Sequence, residues 1–183
     1  MITVYVPGSR DYGQLSPELK RQLRTIEPSV DRKSRYYPCL AVLKSGQRVD
    51  RVYVVDAQSY IDLWGVWPED DPAKTSLPIG EVAALEESPS RLPAAIANRL
   101  YAAGESGMGY SLFTLLFRDG TSQAYATGNA VDFVRLPSGK SAEDITGVLP
   151  HKGGEATHRL KGLDYRWCLF GSGESKIPSQ RFT

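Results

Sequence analysis

The sequence is poor in the residues that most often carry chemistry. Two cysteines, two histidines and two methionines occur among 183 residues. There is no Cys-x-x-Cys and no Cys/His cluster, so a structural zinc site, whose ligands come at short fixed spacings, is not expected. One distant cysteine pair is also not the framework of a small secreted scaffold. Cys39 and Cys168 each sit in an apolar run, Pro38–Val42 and Trp167–Phe170, where a thiol behaves as a small buried hydrophobe. A disulfide between them requires that the two runs be neighbours. Long hydrophobic runs are missing as well. Nothing approaches the ~20 apolar residues of a membrane span, and Met1–Pro7 lacks the basic and long apolar segments of a secretory signal. A cytoplasmic protein without a membrane partner is the expectation.

Nor does charge of one sign dominate. The chain carries 22 Lys and Arg against 21 Asp and Glu, a formal net charge of +1, which removes any global electrostatic argument for nucleic acid or an anionic membrane. The balance is uneven along the chain. Residues 1–60 carry ten basic and six acidic side chains, residues 61–105 three and eight, and residues 106–183 nine and seven. Such a distribution fits a dipolar partner surface or internal pairing between the first third and the middle. With 41% hydrophobic and 23% charged residues, the chain can build a core, and disordered or collagen-like readings fall away.

Local signals then place the elements. Ser16-Pro17-Glu18 opens a helix with a hydroxyl cap, a proline at the first position and an acid near the positive end of the dipole. Leu15, Leu19, Leu23 and Ile26 supply its apolar stripe, and Pro28 stops it. Tyr37–Leu43 and Arg48–Val55 read as a hairpin around Lys44-Ser45-Gly46-Gln47, where glycine provides the positive φ a tight turn needs. Leu92–Ala103 is an alanine-rich helix with Leu92, Ile96 and Leu100 on one face and Gly104 as its stop. Tyr110–Phe117 and Thr121–Thr127 form a second hairpin around Arg118-Asp119-Gly120. Ile2–Val6, Ala130–Leu136 and Tyr165–Phe170 read as further strands. Ser59–Trp64 and Asp144–Leu149 fit a strand or a helical turn equally well. Trp67–Ser90 holds four prolines and the acidic run Glu69-Asp70-Asp71. It reads as a long excursion carrying one short helix, Ile79–Glu87.

The two hairpins echo each other. Leu43-Lys44-Ser45-Gly46 matches Phe117-Arg118-Asp119-Gly120 in chemistry, and each hairpin precedes a further apolar stretch, Tyr60–Leu63 and Val131–Val134. An internal duplication is one reading of the echo. The expected architecture is a single α+β domain over residues 1–170. Two Gly-turn hairpin units make an antiparallel sheet of five to seven strands against two or three helices. A flexible Gly/Ser-rich tail, residues 171–183, follows.

No catalytic pattern is complete. Gly104-Glu105-Ser106-Gly107-Met108 lacks the second glycine of a nucleophile elbow, and no Lys-Ser/Thr follows to make a phosphate-binding loop. His151, Glu155 and His158 have neither helical nor strand-like ligand spacing. Asp56, Asp62, Asp119 and Asp132 fall at strand ends, turns or solvent-facing strand positions. No cofactor and no metal is therefore expected. The segment Val4-Tyr5-Val6-Pro7-Gly8-Ser9-Arg10-Asp11-Tyr12 resembles the opening of the SLOG class of Rossmann-like nucleotide-sensing domains. The resemblance is confined to this N-terminal stretch, and it implies phosphate contacts at Gly8, Ser9 and Arg10.

Three function classes follow. The preferred one is a non-enzymatic interaction or regulatory protein that binds a protein partner through Tyr60, Trp64, Trp67, Glu69, Asp70 and Asp71. Aromatic anchors with an acidic rim suit that role. The second is a small-ligand or nucleotide-handling protein, with hydrolysis as one form. It would use Gly8, Ser9 and Arg10 or the loop of Gly104, Glu105, Ser106, Gly107 and Gly109. The third is a nucleic-acid accessory protein that uses Arg32, Lys33, Arg35, Tyr36 and Tyr37, where cations interleave with aromatics.

Overall fold

Ser16 caps the first helix, α1 (Pro17–Leu23), by accepting the Leu19 N–H on its hydroxyl at 3.1 Å, and the helix buries Leu19 and Leu23. The chain then forms β1 (Ser29–Asp31), β2 (Ser34–Leu43) and β3 (Arg48–Asp56). The ambiguous segment that follows is a helix, α2 (Ala57–Trp64). The Asp56 carboxylate accepts the Ser59 N–H at 2.9 Å and Gly65 ends the helix at φ 74°. The remaining elements are β4 (Val82–Glu86), α3 (Ala94–Ala103), β5 (Ser111–Phe117), β6 (Ser122–Thr127), β7 (Ile145–His151), β8 (Leu160–Lys161) and β9 (Arg166–Phe170). The structure, a computed structural model, describes residues 10–152 and 159–172. The expected strand Ile2–Val6, Gly8, Ser9, Glu155, His158 and all but the first residues of the tail lie outside those ranges.

The fold is α+β, but its strands divide between two sheets. In the first, β1 and β4 share one edge of β2, followed by β3 and β9; in the second the order is β7-β5-β6-β8. Pairing is antiparallel except for β3 with β9 and β6 with β8. Val52, Val54 and Cys39 pack with α1 on one face of the first sheet. Tyr36, Tyr53 and Trp167 face the second unit with Phe133 on the other. With both faces covered, β3 reads as the unbroken apolar run Val52–Val55. In the second sheet Phe113, Leu115 and Tyr125 pack with Ile96, Ala97 and Leu100 of α3.

Two expected elements differ. Ile79–Glu87 is not a helix but a one-turn 3-10 helix, Ile79–Glu81, running into β4. The free edge of β2 offers a ladder, Leu40↔Glu86, Ala41↔Leu85 and Val42↔Ala84, and that pairing overrides the helical preference of Ala, Leu and Glu. Ala130–Leu136 is not a strand. Its alternation dissolves because Ala130, Val131, Asp132, Phe133 and Val134 are all buried, and only the bridge between Arg91 and Phe133 touches it in ladder fashion.

The same construction occurs twice. In each unit a helix leads to a hairpin whose Gly lies at positive φ, Gly46 at 87° and Gly120 at 85°. The turns close alike: Leu43 N–H donates to Gln47 O at 2.8 Å, and Phe117 N–H to Thr121 O at 2.9 Å. A 3-10 turn then leads into a strand that joins the far edge of the first hairpin strand, β4 on β2 and β7 on β5. The register slips at matching places, between Val42 and Leu43 and between Leu116 and Phe117. Finally a strand runs parallel beside the second hairpin strand. The apolar stretches Tyr60–Leu63 and Val131–Val134 are not counterparts, since one is helix and the other irregular. The true third strands are β4 and β7. The strand that completes the first unit, β9, comes from beyond the second.

Cys39 and Cys168 are free and buried. Cys39 pairs with Val52 and Cys168 with Val54, so β3 stands between them. Two strand spacings put their backbones about 10 Å apart, beyond the reach of a disulfide. Burial pushes both thiols up, Cys168 to about 12. The expected result with a thiol reagent at pH 8 is no reaction in the native protein and two reacting thiols in denaturant. Rapid native labelling of either would show that the core is not closed as described.

Candidate functional site

A broad concavity lies between the two units. It is a groove of 870 Å³, bounded by the start of β3, the end of β6, the Ala73–Thr75 segment and the crossover from β8 to β9. Its floor and walls include Phe133, Tyr165 and Trp167. Its charged lining is one-sided: Arg48, Arg51, Lys74, Lys161 and Arg166 against Asp50 and Asp164. Five cations against two carboxylates stand out in a chain of net charge +1.

The cations are held to different degrees. Arg48 pairs with Glu86 through two hydrogen bonds, 2.6 and 3.3 Å. Arg51 sits at φ 59°, a conformation uncommon for a side chain with a Cβ, and its Nε donates to Asp164 O at 2.6 Å. Lys74 Nζ lies 3.3 Å from Asp71 and 3.8 Å from the centre of the Trp64 ring. Burial lowers the Lys74 amine and the Asp71 contact opposes that shift. Among the described residues Lys161 and Arg166 have neither an ion pair nor a side-chain hydrogen bond, which leaves both guanidinium and ammonium for a ligand. Of the two acids, Asp50 is already occupied by the hydroxyls of Ser88 and Ser90 at 2.5 and 2.6 Å.

A buried carboxylate fixes the inner wall. Asp132, fully buried, precedes the groove residue Phe133. Its Oδ2 accepts from the hydroxyls of Tyr53 at 3.0 Å and Tyr101 at 2.5 Å, and its Oδ1 accepts from Ser29. Arg91 Nε stands 3.6 Å from Oδ1, and Arg91 Nη2 donates to Ser29 at 3.1 Å. The two tyrosine hydroxyls in turn accept the N–H groups of Asp132 and Val131, each at 3.1 Å. Burial, then the Asp132 charge, pushes both tyrosines well above their ordinary range, so they remain donors. The knot joins β1 and β3 of the first unit to α3 and the β6–β7 link of the second.

Among the described residues three buried donors near the groove lack partners, including the indole N–H of Trp64, the ring that carries Lys74. Trp167 is wholly buried and its indole N–H meets no acceptor; the Tyr60 hydroxyl, also buried, meets none. The two rings are 5.1 Å apart, and Lys74 Nζ is 5.5 Å from the Tyr60 ring. A buried donor left unpaired costs about 1–3 kcal/mol, so such groups call for an explanation.

The residues singled out in the sequence are scattered. Tyr60 and Trp67 are core side chains, and Trp64 is half-buried against Tyr60 at 5.9 Å. Glu69 and Asp70 face Arg10, whose Nη2 reaches both Asp70 oxygens at 2.7 Å, while Tyr12 donates to Glu69 at 2.8 Å. Asp71 accepts the Ala73 N–H at 3.0 Å, which with Lys74 holds it below the usual carboxylate range. Arg10 and the excursion acids thus occupy each other, as do Arg48 and Glu86, which is the internal pairing that the uneven charge distribution allows. The three glycines of the second loop have turn geometry as their reason. Gly104 and Gly109 adopt φ near 80°, and a side chain at Gly107 would collide with the Tyr110 ring. Ser106 serves the same turn by accepting the Leu112 N–H at 2.7 Å, and Glu105 accepts that of Gly109 at 3.2 Å. Gly104 and Glu105 also border a smaller cavity of 440 Å³ beside Asp31, Arg32 and Asn129. His151 contacts Thr114 at 2.8 Å. In the basic-aromatic run Tyr36 is buried with its hydroxyl on Asp31 at 2.9 Å, so it cannot stack on a base.

No sequence motif marks the groove. Its cations come from β3, the excursion, β8 and β9, and only the parallel pairings of β9 with β3 and β8 with β6 assemble them. No family model, curated protein or solved structure matches this chain. Among the described residues no helix is long and apolar enough to cross a membrane.

Proposed function

We propose that the protein is a binding protein for an anionic small molecule seated in the groove between its two units. The observation that carries this reading is the lining of five cations against two carboxylates in a concavity of 870 Å³, a size within the usual range of ligand sites. Arg and Lys around a walled concavity concentrate anions and bind oxyanions through charge-assisted hydrogen bonds. The reading takes up the small-ligand class and moves it from the glycine-rich loops to the groove. A protein partner on the excursion has less support, because Tyr60 and Trp67 are core residues and Glu69 and Asp70 are engaged by Arg10. The chain would bind without turning over, since no nucleophile with an adjacent base lines the groove.

A thermal-shift panel of nucleotides, sugar phosphates, inorganic phosphate and polycarboxylates tests the proposal. An anion at about 100 times its Kd stabilises by about 2.7 kcal/mol, which raises Tm by roughly 5–10 °C in a chain of this size. The double variant Lys161→Ala, Arg166→Ala should keep its own Tm within about 2 °C, because both side chains are exposed. It should lose at least tenfold in affinity by calorimetry. A panel in which no anion moves Tm, or a double variant that binds like the native chain, would sink the reading.

A further inference from the structure

We propose that Arg51 is the residue that selects the groove's ligand, receiving two oxygens of a carboxylate or phosphate group on the free end of its guanidinium. This inference rests on the anion-binding reading and names the group within the ligand and the side chain that takes it. Arg51 stands inside β3 at φ 59°, a conformation that glycine adopts freely and that residues with a Cβ avoid. The other described non-glycine residue of this kind, Arg32 at φ 56°, lies in the two-residue turn between β1 and β2, where positive φ is ordinary geometry. Arg51 has no turn to account for it. It lies in a β-bulge instead. Cys39 pairs with Val52 and Ala41 with Val49, so two steps along β2 face three along β3, and the extra residue falls at Asp50-Arg51. A bulge re-aims a side chain and is over-represented beside active sites. Backbone strain kept by a residue other than glycine points the same way.

The re-aimed side chain joins two walls of the groove. Its Nε donates to the Asp164 carbonyl at 2.6 Å, in the crossover between β8 and β9, and both residues line the groove. That bond engages one side of the guanidinium and fixes its plane. Nη1 and Nη2 keep their forward-facing N–H pair, and neither has a hydrogen bond or an ion pair among the described residues. The groove's two acids do not neutralise it. Asp50 is held by Ser88 and Ser90, and Asp164 meets Arg51 through its carbonyl rather than its carboxylate. A planar fork held in this way matches two oxygens of one oxyanion, and its orientation is fixed before the ligand arrives. The fork of Arg48 is already taken by Glu86, and Lys74 and Lys161 offer point charges without a fork. Discrimination between an oxyanion and a simple charge therefore falls to Arg51.

The test is calorimetric titration of the full chain with inorganic phosphate and with citrate at constant ionic strength. The native chain is compared with Arg51→Lys, Arg51→Ala and Arg51→Gly. Arg51→Lys keeps the charge, so a groove that reads charge alone would not register it. The expected result is that the native chain binds at least one of the two anions, and that Arg51→Lys weakens it by about tenfold or more. The tighter of the two anions tells whether the group is a phosphate or a carboxylate. Arg51→Ala and Arg51→Gly lose the guanidinium alike and differ only by a Cβ at φ 59°. The glycine variant should melt about 2 °C or more above the alanine variant, the reverse of the usual order inside a strand. It should also weaken binding at least as much as lysine does, which separates lost recognition from lost stability. Native-like binding by Arg51→Lys overturns this proposal and leaves the groove reading standing. So does failure of phosphate and citrate to bind while another anion of the thermal-shift panel raises Tm. A glycine variant that melts no higher than the alanine variant removes the strained placement on which the proposal stands and overturns it. Absence of binding by every anion overturns both readings.

Discussion

Replacing Asp132 by alanine is expected to lower the unfolding free energy by about 3–5 kcal/mol, the range seen when one partner of a buried ion pair is removed. In a chain of this size that lowers Tm by about 6–20 °C, against a total stability of about 5–15 kcal/mol. The cause is what the substitution leaves behind. Arg91, with its side chain 12% exposed, loses its carboxylate. The hydroxyls of Ser29, Tyr53 and Tyr101 lose their acceptor. The cost should appear as a lower urea midpoint with an unchanged slope. Asp132→Asn keeps the shape but turns an –NH₂ toward groups that donate, so it should fall between the native chain and alanine. Tyr53→Phe alone removes a hydrogen bond to a charged group, about 1.5–3 kcal/mol. In the Asp132→Ala background the same change should cost much less, because neighbours sharing a partner are not additive. A loss below about 1 kcal/mol for Asp132→Ala, or full additivity of the pair, would show that the knot does not join the units.

That knot also shows where sequence reading stops. Asp132 lies between apolar neighbours, as a solvent-facing strand residue would, and its burial depends on tyrosines contributed by β3 and α3. By contrast the elements with local causes are legible. Ser16 caps α1 and Gly104 ends α3 as their positions imply. Gly46 and Gly120 mark both hairpins because a positive φ is a property of one residue. The Ile79–Glu87 segment misleads because its composition favours helix while the open edge of β2 decides its conformation. The groove is illegible for a related reason. Arg48 and Arg51 are local to β3, but Lys161 and Arg166 join them only through two parallel pairings. The aromatic-acidic excursion looks like a surface in sequence, since aromatics beside acids are typical of interfaces. The sequence could not show that Trp167 and Arg10 would meet it from distant positions.

The dependence of the first unit on β9 leads to the other large effect. β9 is not an edge strand. On one side it pairs with β3 over five residues, Val52↔Arg166 to Asp56↔Phe170. On the other, Trp167 N–H donates to Thr75 O at 2.9 Å and Leu77 N–H donates to Trp167 O at 2.8 Å. Its Trp167, Cys168 and Leu169 are buried in two different clusters, the one under α1 and the one between the units. Trp167→Ala alone is expected to cost about 3–5 kcal/mol, as for other large aromatic truncations. Ending the chain after Lys161 removes all of this at once. It exposes the β3 edge and the aromatic cluster together, a loss of the same order as the whole stability of a domain. The truncated chain should therefore show no cooperative thermal transition by circular dichroism, and it should bind a dye that reports exposed apolar surface. Although each unit repeats the same plan, the first cannot fold as an independent half, because its last strand arrives only after the second has been traversed. A truncated chain that melts cooperatively within about 5 °C of the full one would contradict that dependence, since a loss of even 3–5 kcal/mol should move Tm by about 6–20 °C.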